Sequence, residues 1–340
     1  MIFYYIYLIF VIFSSLVLKK KGFLLNYTGD NHQSFSNSGN IPLTGGFFLI
    51  FPIVFFYLND LIFVSFLSVI FLIGFFSDRK ILVSPKKRFF FQVISILSFV
   101  IITDLRITSS RVDLFDLFLS NEVFAYFFTS FCLLILINGS NFIDGLNGLF
   151  ISYSLIVLFV LGNLGLISDS ILSGQFFYLI LLLMLLLLLL NVFNVLMIGD
   201  SGAYLLAFFL GVIIINSHEN NPNISPYFYI SLIWYPCFEN LFSIIRKLNI
   251  KFSPLNPDNK HLHQLVFFFI KKKLGLSTIF SNNFSSAVLI FLNFLVVYIS
   301  SLNPSSTIYQ MKLIVSSIIL YISGYFLLNK FYNLNFKFKK

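Results

Sequence analysis

The sequence predicts an all-α polytopic membrane protein, and three observations support this fold class. The chain has 340 residues, of which 58% are hydrophobic and only 10% are charged. Soluble domains contain about 25% charged residues, so a soluble core would not hide this much apolar surface. The apolar residues form runs of roughly 16–22, close to the length that a helix needs to cross a bilayer. Short polar segments rich in Gly and Asn separate these runs.

Eleven apolar runs predict about eleven transmembrane helices. Their expected ranges are 2–18, 43–58, 61–76, 88–103, 122–138, 148–167, 175–197, 203–216, 226–245, 284–302 and 309–329. The first run has no basic segment before it and no small-residue cleavage site after it, so we expect it to be retained as a span. Cys132 and Cys237 lie inside apolar runs, which predicts buried thiols and no disulfide.

Basic residues are distributed unevenly between the two sets of connecting segments. The segments 19–21, 79–88, 246–273 and the tail from residue 330 hold all but three of the 22 basic residues. The other set holds only Arg106, Arg111 and Lys312. Because Lys and Arg accumulate on the cytoplasmic side, we predict an N-terminus outside and a C-terminus in the cytoplasm. No nucleic-acid interface is expected, because the basic residues are split among short segments.

Three carboxylates fall at the ends of different predicted helices on this basic side. They belong to Asp78, Asp144 and Asp200, and the last two stand directly beside glycines. One carboxylate at a helix end is ordinary, whereas three at one membrane face repel one another unless a cation joins them. Mg²⁺ takes oxygen ligands from one or two carboxylates together with substrate phosphates. The sequence therefore predicts a Mg²⁺ site, with Mn²⁺ as the alternative ion.

Two polar segments, 138–149 and 197–202, flank apolar runs. In the first, Asn138, Asn141, Asp144 and Asn147 recur every three residues. Irregular polar backbone at membrane depth is tolerated where it lines a cavity, because lipid does not satisfy exposed backbone groups. In the second segment, Gly199 would let the backbone approach a ligand closely. Both segments are therefore predicted to line a binding site.

A third polar segment, 257–263, ends in His261 and His263 and lies in 246–283, which we expect to be a cytoplasmic loop. The two histidines are interpreted either as polar residues at a helix start or as donors to a diphosphate. A zinc site is not expected, because no third His or Cys lies nearby. Lys86 begins a basic run and is interpreted either as an interfacial anchor or as a contact for a lipid phosphate.

These segments, in this order, resemble the motifs of the polyprenyl-phosphate N-acetylhexosamine-1-phosphate transferases. Residues 41–46 resemble Pro-x-x-Gly-Gly, 74–79 the Asp-Asp segment, 138–149 Asn-x-x-Asn-x-x-Asp-Gly-x-Asp-Gly-Leu, 197–202 Met-Gly-Asp-x-Gly-Ser, 236–246 Pro-x-x-Asp…Arg, and 253–263 the Pro-Asp…His-x-His-His loop. The resemblance implies one integral membrane transferase domain over 1–340, in which the loop 246–283 carries the His-x-His motif.

The resemblance also implies an activity, a location and roles for the site residues. Such an enzyme would transfer N-acetylhexosamine-1-phosphate from UDP-N-acetylhexosamine to polyprenyl (undecaprenyl) phosphate and release UMP. It would begin a lipid-linked surface glycan at the cytoplasmic face of a bacterial inner membrane, in contact with membrane lipid, and a homodimer is left open. The expected catalytic residues are Asp78, Asp144, His261 and His263, the expected metal ligands Asp200 and Asp144, and the expected substrate-binding residues Asn138, Asn141, Asn147, Gly199 and Lys86.

The sequence departs from the family pattern at several of these positions. Ser77 replaces the first acid of the Asp-Asp pair, Asn147 the second acid of the long motif, and Gln264 the last histidine. The loss of the first Asp leaves open an inactive family member that acts as a scaffold. A secondary transporter is the other alternative. It would need polar groups at mid-span on paired helices, whereas the polar groups here lie at helix ends.

Overall fold

The computed structural model describes residues 2–25, 41–168, 172–249, 251, 253 and 259–336. Fourteen α-helices form this part of the chain, and it contains no strand beyond isolated bridges. The helices are α1 (Ile2–Lys21), α2 (Gly45–Phe56), α3 (Leu61–Asp78), α4 (Pro85–Ile102), α5 (Asp113–Leu119), α6 (Glu122–Ile143), α7 (Leu149–Asn163), α8 (Gly174–Val192), α9 (Gly199–Asn220), α10 (Pro226–Leu232), α11 (Trp234–Asn249), α12 (Leu262–Leu274), α13 (Thr278–Ser301) and α14 (Thr307–Phe336).

This architecture confirms the all-α class and the polytopic character. Each of the eleven predicted runs coincides with a helix or, for 226–245, with a broken pair. Among the described residues, six helices are long and apolar enough to cross a membrane, or seven if the bent pair α10–α11 counts as one span. The number of eleven spans and the orientation of the termini therefore stay predictions.

The predicted boundaries differ from the structure where polar residues continue a helix. α6 extends to Ile143, so Asn138 and Asn141 are helical and lie one turn apart. α9 begins at Gly199, four residues before the predicted start. The helices α5 and α12 were not expected, and the second lies within the predicted loop 246–283. Of that predicted loop, residues 250, 252 and 254–258 lie outside the described part, including Pro257 and Asp258 of the motif.

The predicted helix 226–245 is broken between α10 and α11, which meet at a bend of 77°. Pro236 stands in the first turn of α11, and a proline has no N–H to bond the carbonyl four residues earlier. That carbonyl belongs to Leu232, and it accepts a hydrogen bond from the hydroxyl of Tyr153 instead (2.7 Å). A side chain of α7 therefore satisfies the backbone group that the break exposes.

The helix α9 forms the centre of the bundle and is buried along nearly its whole length. Glycines on its neighbours allow close backbone contact at its first turn. A Cβ atom on Gly74 of α3 would lie 2.5 Å from the Cα atom of Ser201, and one on Gly46 of α2 would lie 2.6 Å from the backbone nitrogen of Gly202. Because real Cβ atoms do not approach that closely, both positions require glycine.

Charged residues form contacts at both ends of the bundle. At one end, the ammonium group of Lys19 donates to the carbonyl of Asn194 (2.7 Å), close to the start of α9. At the other end, Arg111 donates to the carbonyls of Pro222 (2.7 Å) and Ser305 (3.0 Å) and thereby connects three loops. The first end is also where α3 and α6 finish and where α4 and α9 begin, so the predicted site residues share it.

Candidate active site

Asp78 is the last residue of α3, and its carboxylate lies against the start of α9. The backbone N–H of Asp200 donates to Asp78 Oδ1 (2.8 Å), and that of Ser201 donates to Oδ2 (3.0 Å). The N-terminus of a helix carries unsatisfied N–H groups and a partial positive charge, so a carboxylate is stabilised there. Asp78 therefore fixes the position of the first turn of α9, and Asp200 lies on that turn.

Gly199 stands beside this contact in a left-handed conformation, with φ of +74°. A Cβ atom at this position would lie 2.7 Å from Asp78 Oδ2. Both the backbone angle and the lack of space favour glycine. In this structure, Gly199 leaves space for the Asp78 carboxylate to contact the first turn of α9. The binding of a substrate by Gly199 stays a prediction.

Asp200 contacts a hydroxyl and a guanidinium group. Ser77 Oγ donates to Asp200 Oδ2 (2.6 Å), and Arg88 Nη1 donates to the same oxygen (2.8 Å). Arg88 Nη1 also lies 2.5 Å from Ser77 Oγ. The side chains of Arg88 and Asp200 are 22% and 28% exposed, so this ion pair is accessible to a ligand. Asp200 is thus held at a polar surface, where a cation can compete with Arg88 for the carboxylate and a phosphate can compete with Asp200 for the guanidinium group.

Asp144 follows the last residue of α6 and is partly buried. Burial, together with repulsion from the carboxylates of Asp200 and Asp78, raises the pKa of Asp144 well above its ordinary value. This repulsion requires the three carboxylates to lie close together, although they come from three separate helices. Asp144 therefore lies within electrostatic range of Asp78 and Asp200, and a backbone hydrogen bond connects those two directly.

The two asparagines of α6 form hydrogen bonds to neighbouring helices. Asn138 Nδ2 donates to Oε1 of Gln92 on α4 (3.0 Å), and Asn141 Nδ2 lies 3.5 Å from the hydroxyl of Tyr204 on α9. Asn138 and Asn141 therefore connect α6 to the two helices that carry Arg88 and Asp200. Their predicted contacts with a substrate stay predictions.

Asn147 lies in a buried amide network. Its Nδ2 group donates to the side-chain oxygens of Asn283 (2.9 Å) and Asn194 (3.1 Å). Its backbone N–H donates to the side-chain oxygen of Asn282 (2.8 Å). These bonds join the turn after α6 to the end of α8 and the start of α13. In this structure Asn147 serves that connection, and its predicted contact with a nucleotide stays a prediction.

The two histidines lie at the start of α12, which is the helix-start interpretation. His261 is the N-cap, and its Nδ1 atom is 2.9 Å from Oε1 of Glu239. His263 is 1% exposed, and its Nε2 atom would lie 2.7 Å from a Cβ atom on Gly145. The rings of His261 and His263 stack at 5.7 Å. His263 therefore reaches the turn that directly follows Asp144, so the donor interpretation also stays open.

Lys86 is exposed in the first turn of α4 and forms no contact with the acids that the structure records. Two residues later, Arg88 provides the cation that contacts Asp200. From the sequence, Arg88 is one of three adjacent basic residues, and it is not distinguished from Lys86 and Lys87. A usable signal was present, because Arg88, Gln92 and Ser95 form a polar stripe at helical spacing among the phenylalanines of 89–91.

Comparisons with known proteins bear on the same part of the chain. The sequence model of the family described as Glycosyl transferase family 4 matches residues 61–218, which include Asp78, Asp144 and Asp200. The resemblance to the polyprenyl-phosphate N-acetylhexosamine-1-phosphate transferases, predicted from the motifs, is thereby confirmed. This match covers less than half of the chain. Because the match ends at residue 218, it does not extend to the two histidines of α12.

Curated proteins similar to this chain carry a more specific name. A Thermotoga maritima protein is 27% identical over 140 residues, which are 41% of this chain and 41% of that protein. Proteins of Escherichia coli K12 and Shigella flexneri are each 26% identical over 153 residues, which are 42% of this chain and 41% of theirs. All three are named undecaprenyl-phosphate alpha-N-acetylglucosaminyl 1-phosphate transferase. The similarity thus covers less than half of each relative's length.

Proposed function

We propose that this protein transfers N-acetylhexosamine-1-phosphate from UDP-N-acetylhexosamine to polyprenyl phosphate and releases UMP. The observation that carries the proposal is the convergence of Asp78, Asp144 and Asp200 at the ends of three helices, with Arg88 and His263 beside them. The names of the relatives, which specify undecaprenyl phosphate and N-acetylglucosamine, support the same reaction class.

In the proposed reaction, a phosphate oxygen of the lipid attacks the β-phosphorus of the UDP-sugar. The bond between that phosphorus and the bridging oxygen breaks, and UMP leaves with the electron pair. Both reactants are anions, so the site has to offset their repulsion and align them. Arg88 would supply positive charge to the phosphate groups, and His263 of α12 would be a hydrogen-bond donor to them. A lipid phosphate is largely ionised at neutral pH, since a second phosphate pKa is about 6, so no strong base is required.

We propose that Asp200 and Asp144 would hold a Mg²⁺ ion. Burial and neighbouring carboxylates raise the pKa of Asp144, and a bound cation would remove the repulsion behind that shift. Among the described residues, no group of three or more His, Cys, Asp and Glu side chains is placed to hold a metal ion by itself. Mg²⁺ seldom uses such a group, because substrate phosphates and water complete its coordination. When bound, it would neutralise the charge of the diphosphate.

Asp78 has a positioning role in this proposal. Its carboxylate accepts two backbone hydrogen bonds from the first turn of α9 and so fixes the position of the turn that carries Asp200. In keeping with its expected place among the catalytic residues, we also propose that Asp78 orients the incoming lipid phosphate. The basic segments at this end of the bundle support a site at the cytoplasmic face of a bacterial inner membrane.

The reaction is tested with purified membranes that contain the chain. They are incubated with polyprenyl phosphate and, separately, with UDP-N-acetylglucosamine, UDP-N-acetylgalactosamine and a UDP-deoxy-N-acetylhexosamine. We expect UMP release and a lipid product whose mass equals that of the acceptor plus one N-acetylhexosamine phosphate. A lipid product with two added phosphates, or release of UDP instead of UMP, would contradict the proposed bond cleavage.

A second candidate function, an inactive scaffold, is favoured by one observation. Ser77 occupies the position of the first acid in the Asp-Asp motif of the polyprenyl-phosphate N-acetylhexosamine-1-phosphate transferases. In the structure its hydroxyl donates to Asp200 Oδ2, the oxygen that Arg88 also contacts, so two groups already bind one oxygen of the predicted metal ligand. A scaffold would bind a UDP-sugar without releasing UMP, so equilibrium binding measured beside turnover separates the two functions.

A further inference from the structure

The carboxylate of Glu239 lies at the centre of a buried network that connects three helices. Its side chain is 1% exposed. Oε2 accepts a hydrogen bond from the hydroxyl of Tyr321 on α14 (2.7 Å). Oε1 lies 2.9 Å from Nδ1 of His261 and accepts the backbone N–H of Leu262 (3.3 Å) at the start of α12. Both oxygens of this carboxylate therefore have donors.

A buried carboxylate is costly unless hydrogen bonds and opposite charges compensate it, and the donors to Glu239 provide that compensation. Apolar ring contacts restrain the side chains of this hydrogen-bond network. The ring of Tyr321 packs against Phe238 (4.9 Å) and Phe242 (5.4 Å) of α11. Tyr321 and Glu239 are thus fixed relative to each other by ring contacts as well as by the hydrogen bond.

The contact with Glu239 determines which nitrogen of His261 carries a proton. An ionised carboxylate only accepts hydrogen bonds, so a nitrogen 2.9 Å from it has to donate. The proton is therefore on Nδ1, and in the neutral ring Nε2 is an acceptor. Carboxylates that hold a histidine in one tautomer and one orientation are common beside metal and catalytic histidines.

The ring of His261 lies next to the end of α6, which is followed by Asp144, one of the three acids of the candidate site (Asp78, Asp144 and Asp200, here called the acidic cluster). Its centroid is 5.0 Å from that of Phe142, in the last turn of α6, and 5.7 Å from that of His263. Asp144 follows Phe142 by two residues, and His263 contacts Gly145. The orientation of His261 is therefore set within reach of the turn that carries a predicted metal ligand.

We propose that Glu239 and Tyr321 are positioning residues that hold His261 in the Nδ1-protonated form for the transfer reaction. The proposal rests on the proposed function for its catalytic consequence, but not for the tautomer. It assigns a role to α14, a helix outside every motif of the sequence. Neither residue touches a substrate in this proposal, and both act through the imidazole of His261.

Kinetics of three variants and a control test the catalytic consequence. Glu239→Gln, which keeps the size of the side chain, should lower kcat about 10- to 100-fold, as losses of such supporting contacts do. Glu239→Asp should retain more activity than Glu239→Gln, because it keeps the carboxylate. Tyr321→Phe should lower kcat about three- to tenfold, as expected for one lost hydrogen bond. The KM for polyprenyl phosphate should stay unchanged in all three.

The matched control is Tyr325→Phe. Tyr325 lies one turn later on α14, and its ring is parallel to that of Tyr321 at 6.4 Å. The substitution removes the same hydroxyl from the same buried face. We expect kcat within about twofold of wild type, since surrounding packing is unchanged. An equal loss in both tyrosine variants, or a similar fall in melting temperature and activity, would show a packing role and overturn the proposal.

Nitrogen NMR tests the tautomer directly. The chain has only four histidines, His32, His218, His261 and His263, so ¹⁵N-histidine labelling with single His→Gln variants assigns each ring. Wild-type His261 should show a protonated Nδ1, and Glu239→Gln should give a mixture of tautomers. An Nε2-protonated ring in wild type would overturn the proposal. If wild type transferred no sugar phosphate, the proposed function would fail while the NMR result still decided the role of Glu239.

Discussion

At the scale of single residues, the acidic cluster depends on which groups surround each carboxylate. The carboxylate of Asp200 accepts hydrogen bonds from the Ser77 hydroxyl and the Arg88 guanidinium group. The carboxylate of Asp78 accepts hydrogen bonds from two backbone N–H groups. Charge-assisted bonds of this kind are roughly twice as strong as neutral ones. The serine that departs from the family pattern therefore removes one negative charge from a crowded site and keeps a hydrogen bond in its place.

We expect Asp200→Asn to abolish transfer while expression and membrane insertion remain normal. An amide cannot supply the charge that binds a divalent cation, and it also loses the ion pair with Arg88. Initial rates at saturating Mg²⁺ should fall to less than a tenth of wild type, roughly 1.4 kcal/mol or more in transition-state stabilisation. EDTA should stop the wild-type enzyme as well. Asp113→Asn, at the other end of the bundle, is the control and should keep full activity.

A second residue-scale prediction concerns Ser77→Asp, which restores the acidic pair of the family motif. The new carboxylate would lie beside that of Asp200, and Arg88 would offset part of the repulsion. We expect kcat to change by less than about threefold, which corresponds to roughly 0.6 kcal/mol. A tenfold or larger gain would mean that the natural site is impaired, and it would strengthen the scaffold alternative.

At the scale of helices, the site depends on how closely α3 approaches α9. Gly74 on α3 faces the backbone of Asp200 and Ser201, and Gly46 on α2 faces that of Gly202. Membrane helices associate through such small residues, because lipid offers no hydrophobic drive for the contact. This packing places the carboxylate of Asp78 at the first turn of α9, so the glycines and the acid act together.

Gly74→Ala tests this contact, since its Cβ atom would lie 2.5 Å from Ser201 Cα and the helices would have to separate. We expect a loss of about 1–3 kcal/mol in stability, typical of overpacking, together with a loss of transfer activity. The matched control is Gly324→Ala on α14, where no atom lies within 4 Å of the added Cβ. That change should be neutral or stabilise by about 0.5–1 kcal/mol. Melting temperatures of both variants in detergent compare the effects, and equal values would contradict the packing argument.

At the scale of the whole molecule, the two ends of the bundle differ in charge and in contacts. The acidic cluster, Lys19 and Arg88 lie at one end. At the other end, Asp116 accepts bonds from Ser109 and Ser110, which outweigh burial and hold its pKa below the ordinary value. An enzyme that takes a UDP-sugar from the cytoplasm would need the first end on that side.

Labelling of single cysteines tests this orientation. In a background with Cys132→Ala and Cys237→Ala, Lys87→Cys lies at the site end and Asp113→Cys at the opposite end, and both positions are exposed. A membrane-impermeant maleimide should label Asp113→Cys in intact spheroplasts and Lys87→Cys only in inverted vesicles, as the positive-inside rule predicts. The reverse pattern would place the acidic cluster outside and contradict the proposed function.

Much of this protein follows from local sequence. The apolar runs determined the helices, because a bilayer-length segment has few alternatives to helix, and the polar positions at their ends predicted which residues meet. Sequence did not determine the break before Pro236, since a proline in an early turn is compatible with a continuous helix. Only the structure shows that the hydroxyl of Tyr153 bonds the carbonyl that the break exposes.

The sequence also did not reveal that Arg88 rather than Lys86 contacts Asp200, or that Tyr321 of α14 contacts Glu239. Those pairings join residues far apart in the chain, and only the packing of the helices around α9 brings them within hydrogen-bond distance.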